Sequence, residues 1–134
     1  LSTDQTSITP SGFRHINFDS LDFACSHYNT TNKEFTTPIA GKYQFNLQLR
    51  IDNIDTGATY YRITVDVGGT RHFGPIFDPN FTDDLNYMGL TWSFLLNIGA
   101  STAVKAEIIQ QTGATQSSIS SGSTQSKFSG YLIG

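Results

Sequence analysis

From Tyr43 to Ile51 the chain alternates without a break. Tyr43, Phe45, Leu47, Leu49 and Ile51 are apolar, and Gln44, Asn46, Gln48 and Arg50 between them are polar. A period of two held over this length suits a strand with one buried face and defeats a helix, whose apolar positions recur every three or four residues. The polar face is mostly uncharged. Tyr61, Ile63, Val65 and Val67 alternate in the same way with Arg62, Thr64 and Asp66, and Gly68-Gly69 closes that run as a tight hairpin turn would. Met88, Leu90, Trp92, Phe94 and Leu96 form a third set, which places Trp92 in the core or a subunit interface. Val104, Ala106 and Ile108 form a fourth, and residues 127–133 a fifth.

Composition agrees with strands. Ser and Thr supply 31 of the 134 residues and Gly 12, while 13% are aromatic. Ser, Thr and Gly are weak helix formers, and Thr, Tyr and Phe fit pleated surfaces. This aromatic content also excludes a disordered tail. Between the strands lie turn-rich stretches at 52–57, at 74–86 (expected as a long surface loop) and at 112–126 (expected as a mobile loop). Closely spaced antiparallel strands point to an all-β sandwich. No linker or repeat divides the chain, so residues 1–134 are expected to form a single domain. Opening on Leu1, it is expected to be the C-terminal head of a longer chain.

Charge excludes several classes of partner. Charged residues make up 14% of the chain, the net charge is −3, and the eight basic residues are scattered. That is no footprint for nucleic acid. No apolar run approaches the ~20 residues needed to cross a bilayer as a helix, so membrane insertion is not expected. A single cysteine, Cys25, excludes an internal disulfide framework.

Catalytic patterns are absent: no nucleophile elbow, zinc-binding helix or phosphate loop occurs. Cys25 and His27 would share a face if they lay in a strand, but a small thiol beside a surface histidine is the plainer reading. Asp78, Asp83 and Asp84, with Asn80 and Asn86, supply oxygens that calcium uses, yet their spacing matches no EF-hand loop. No cofactor or metal is expected. Phe81, Asp83, Asp84 and Tyr87 are the candidate ligand-binding residues, with His72 nearby: flat rings to stack on, and neighbouring polar groups to orient, a sugar or a protein.

Residues 28–45, Tyr-Asn-Thr-Thr-Asn-Lys-Glu-Phe-Thr-Thr-Pro-Ile-Ala-Gly-Lys-Tyr-Gln-Phe, carry a resemblance. Tyr28, Phe35, Pro38, Gly41, Tyr43 and Phe45 fall on the signature positions of the C1q/TNF-like globular domain. Phe128, Ser129, Gly130 and Tyr131 resemble that family's closing strand, residues 16–19 resemble the strand before the signature, and 96–99 followed by Val104 are loosely similar to its central strand-turn-strand. Three positions depart from the pattern. Lys33 stands where a turn glycine is common, so Asn32 is expected to take the left-handed conformation. Thr37 replaces a common cysteine, and Ala100 a common Asp. The resemblance implies a jelly roll of about ten strands, a homotrimer, and a head that binds a partner through exposed loops. Phe35, Tyr43 and Phe45 would supply core rings, Pro38 would shape the approach to the strand, and Gly41 would permit a tight turn. With no collagen-like tract and a neutral skin of Asn, Gln, Ser and Thr, the expected setting is a viral or microbial fibre head. It would be extracellular or virion-exposed and bind a cell-surface glycan or protein, the alternative being a capping or decoration domain with no ligand.

Overall fold

A computed structural model describes residues 1–122 and 124–134. Among these residues there are ten strands and no helix: β1 (Gly12–His15), β2 (Tyr28–Asn29), β3 (Glu34–Thr36), β4 (Gly41–Ile54), β5 (Tyr60–Val67), β6 (Thr70–Phe77), β7 (Leu85–Ile98), β8 (Ala103–Gln111), β9 (Ser118–Ile119) and β10 (Lys127–Leu132). They form two antiparallel sheets. One has the order β2-β3-β8-β5-β6, with β1 also pairing β8; the other has the order β10-β4-β7, with β9 also pairing β4.

The alternation read from the sequence decides what lies between the sheets. From β4, Tyr43, Phe45, Leu47, Leu49 and Ile51 are all at most 2% exposed. They meet Tyr61, Ile63 and Val65 of β5 and Val104, Ala106 and Ile108 of β8, in the packing of a β-sandwich. One end of the core is aromatic: Phe45 lies 5.5–6.1 Å from the rings of Phe35, Tyr43, Phe94 and Phe128. Trp92 is half-buried on the same inner face and stacks on Phe94 with ring centroids 4.0 Å apart.

The turns differ in part from expectation. Gly68 and Gly69 do form the hairpin turn, with φ of 58° and 90°. The long loop is shorter than 74–86, because β6 continues to Phe77 and β7 starts at Leu85. The 112–126 stretch is pinned rather than free: β9 pairs β4 inside it, and Ser117, Ser118, Ile119 and Ser126 are buried. Ser123, which falls in that stretch, lies outside the described residues.

Two glycine-related expectations are corrected. Lys33, not Asn32, takes the left-handed conformation, with φ of 58°. Asn29 Oδ1 accepts from the amides of Thr31 and Asn32, fixing the turn one residue earlier, and Lys33 Nζ donates to Thr30 O at 2.6 Å. Those bonds offset the strain of a side chain at positive φ. Gly41 makes no left-handed turn; it is the first residue of β4. A Cβ there would lie 2.7 Å from Leu132 Cδ1 and 2.9 Å from Gly134 O, so the glycine is required by the close approach of the chain's last residues. Thr37 is fully buried and stitches a corner, donating to Gly99 O at 2.6 Å and accepting from Thr102 N at 2.9 Å.

Candidate functional site

Period-two alternation on three paired strands also organises the outward face of the short sheet. Residues that point away from the core line up in cross-strand rows: Tyr131–Gln44–Leu95, Ser129–Asn46–Ser93 and Lys127–Gln48–Thr91. Gln44 Nε2 donates to Ser93 Oγ at 2.8 Å, and Ser93 Oγ donates to Asn46 Oδ1 at 2.8 Å. A groove of about 180 Å³ runs between the rows, lined by Asn46, Gln48, Thr91, Ser93, Lys127 and Ser129 together with Leu47 and Trp92. Exposed rings flank this face. Tyr131 lies one row away, and Tyr87 lies further along, opposite Asp52. The Arg50 guanidinium sits 4.9 Å over the Tyr87 ring and is anchored by Asp52 Oδ1 at 2.7 Å. Amide and hydroxyl donors and acceptors, with the Lys127 ammonium among them and flat rings nearby, suit the hydroxyls and C–H faces of a sugar.

The four residues singled out from the sequence separate into two places. Phe81, Asp83 and Asp84 lie on the loop between β6 and β7, whereas Tyr87 belongs to the sheet face just described. Phe81 is half-exposed and stacks on Phe77 with centroids 6.0 Å apart. Asp83 is exposed. Asp84 is engaged in holding loops together: Oδ1 accepts from Thr56 N at 2.8 Å and Thr56 Oγ1 at 2.9 Å, and Oδ2 from Gln116 Nε2 at 2.8 Å. Neither Phe81, Asp83 nor Asp84 lines the groove.

These bonds to Gln116 and Thr56 hold the Asp84 carboxyl below its ordinary pKa, and bonds to Ser121 and Ser2 do the same for Asp4 and Asp19. A carboxyl whose folded pKa is depressed stabilises the fold above its unfolded pKa, and that contribution is lost as pH falls through the folded value. Thermal melting followed against pH should therefore give a flat Tm near neutrality and a fall beginning below about pH 4. Asp84→Asn should make that fall shallower. An unchanged acid limb would show that these bonds do not couple to folding.

The remaining titratable residues are structural or solitary. Cys25 and His27 are both exposed and lie outside any strand. Glu107 was not visible as a special residue, although a carboxylate inside the apolar run of β8 is the signal that singles it out. It is buried on the outer face of the larger sheet, where Arg71 Nε donates to Oε2 at 2.7 Å and Thr64 Oγ1 at 3.3 Å, with His15 Nε2 3.4 Å from Oε1. Burial pushes the phenols of Tyr28 and Tyr61 up. Tyr28 donates to Phe18 O at 2.8 Å, and Tyr61 Oη shares a 2.7 Å hydrogen bond with Ser117 Oγ, so both tie strands to loops. No group of three or more His, Cys, Asp or Glu side chains that could hold a metal occurs among the described residues.

A scan against models of known protein families finds no match to this chain, and a search of curated proteins finds none either.

Proposed function

We propose that this chain is a non-catalytic, homotrimeric recognition head of an extracellular or virion-exposed fibre, and that it binds a cell-surface glycan. The observation that carries the reading is the outward face of the short sheet, where amide and hydroxyl rows frame a groove of about 180 Å³ beside exposed tyrosines. The groove's volume is on the scale of one sugar ring, and its lining offers amide and hydroxyl hydrogen bonds together with one cation, Lys127. A jelly roll is the arrangement we favour for the two sheets. The chain passes from β3 to β4, from β4 to β5, from β6 to β7 and from β7 to β8 by changing sheets, giving the interleaved orders β3-β8-β5-β6 and β10-β4-β7.

Glycan-array binding by the intact domain tests this. Asn46→Ala and Tyr87→Ala should each weaken binding about tenfold, on the scale of a well-placed interface residue, with melting almost unchanged because both side chains are exposed. Loss of binding in Phe81→Ala and Asp83→Ala instead would move the site to the β6–β7 loop. A folded trimer that binds no glycan would sink the recognition reading.

One observation favours the structural alternative, a capping or decoration domain without a ligand: Asp84 is consumed by internal bonds rather than presented. Deleting the domain from its parent fibre separates the two. Failed fibre assembly supports capping, while assembled fibres that do not attach support recognition.

A further inference from the structure

Among the described residues β10 is an edge strand whose only strand partner is β4. Ile133 N donates to Lys42 O, so residues of that parity turn their backbone polar groups toward β4. By the alternation of antiparallel ladders, the N–H and C=O groups of Phe128, Gly130 and Leu132 point the other way, off the open edge. β9 pairs β4 further along, at Ile51 and Asp52, and does not extend beside β10. Beneath this edge lies a cleft of about 580 Å³ whose lining includes Phe18, Tyr28, Phe35, Phe45, Phe128 and Gly130, with the Phe18 and Phe128 rings stacked at 6.1 Å within it. An apolar slot beneath an unpaired edge is a combination that folded proteins normally cover.

A segment of suitable chemistry stands on the same patch of surface. Between β1 and β2, Leu21 is 44% exposed and Phe23 is 87% exposed, although both belong to the rim of the cleft. Spaced two apart, they share one side of an extended chain. Phe23 thus projects outward from a molecule that carries an aromatic hole next to it. Asp22 lies between the two, and Lys127 stands at the cleft's rim with no carboxylate partner among the described residues.

We propose that the occupant of the cleft is the Leu21–Phe23 segment of a second copy of this chain. The segment lies along the free edge of β10, Phe23 fills the aromatic hole, and Asp22 meets Lys127. Knob and hole lie on one patch of surface, so each copy gives one and receives one, either reciprocally across a two-fold axis or head to tail in a ring where the rotation closes. The inference deepens the assembly part of the proposed function and rests on it only for the count of three. Lys127 and Ser129 line both the cleft and the groove on the outward face of the short sheet, so the contact borders that groove.

Sedimentation velocity of the full chain across micromolar concentrations provides the test. Phe23→Ser should weaken association about tenfold or more, as removal of a central aromatic anchor does. Lys127→Asp should weaken it too, and Asp22→Lys in the same chain should restore it. Melting of the dispersed subunits should match the wild type, since Phe23 is too exposed to support the core. Cys25 also lines the cleft, so its reaction with a maleimide should slow as wild-type concentration rises and should not slow in Phe23→Ser. A Phe23→Ser protein that assembles as tightly as the wild type overturns this contact while leaving a trimer through another face. A wild-type dimer dispersed by Phe23→Ser supports the contact and refutes the count of three. A wild type that stays monomeric overturns both.

Discussion

Phe45→Ala should lower the stability of the domain by about 3–5 kcal/mol, the range for emptying a buried aromatic site. This is a large share of the roughly 5–15 kcal/mol that holds a domain of ordinary stability together. Its ring is 1% exposed and contacts four other rings drawn from β3, β4, β7 and β10, so it joins both sheets and the closing strand. Truncation leaves those rings facing a void that a sheet interior, fixed by its ladders, collapses into poorly. Urea unfolding should show the midpoint falling while the slope stays the same. Phe81→Ala removes a side chain of the same size that is half-exposed and stacks on Phe77 alone among the aromatic rings. It should cost no more than about 0.5–1 kcal/mol. If the two substitutions cost the same, the aromatic cluster is not what unites the sheets.

The contrast between these two phenylalanines also shows what the sequence made legible. Phe45 sits in an unbroken alternation, and alternation is a local signal that fixes which face a side chain takes before its neighbours are known. The same signal identified the inward faces of β5, β7 and β8. Loop residues carry no such signal. Asp84 reads as a free carboxylate because Thr56 and Gln116, which occupy it, are 28 and 32 residues away. Lys33 reads as a poor choice for positive φ until its own bonds to Thr30 and Thr31 are seen. The outward rows of the short sheet were half visible. Gln44, Asn46 and Gln48 are apparent as a polar face, but their neighbours Ser93, Thr91 and Ser129 depend on registers that only the folded sheet sets. The cleft beside β10 was hidden altogether, since an open edge is a property of topology.

Gly130→Ala should destabilise the domain by about 2–3 kcal/mol, a severe cost for one methyl group on an exposed edge strand. A Cβ at this position would lie 2.5 Å from Phe45 Cδ1, 2.8 Å from Cε1 and 3.1 Å from Gln44 O. Gly130 is not among the residues with left-handed φ, so alanine suits its backbone and the obstacle is contact alone. The Phe45 ring cannot swing aside, because the rings of Tyr43, Phe94 and Phe128 hold it. A double substitution isolates the cause. Phe45→Leu removes the offending ring atoms, so adding Gly130→Ala to Phe45→Leu should cost much less than adding it to the wild type. The resulting coupling should fall in the range of about 1–3 kcal/mol expected for residues in direct contact. Strict additivity would refute the steric account and place the cost in the backbone of β10.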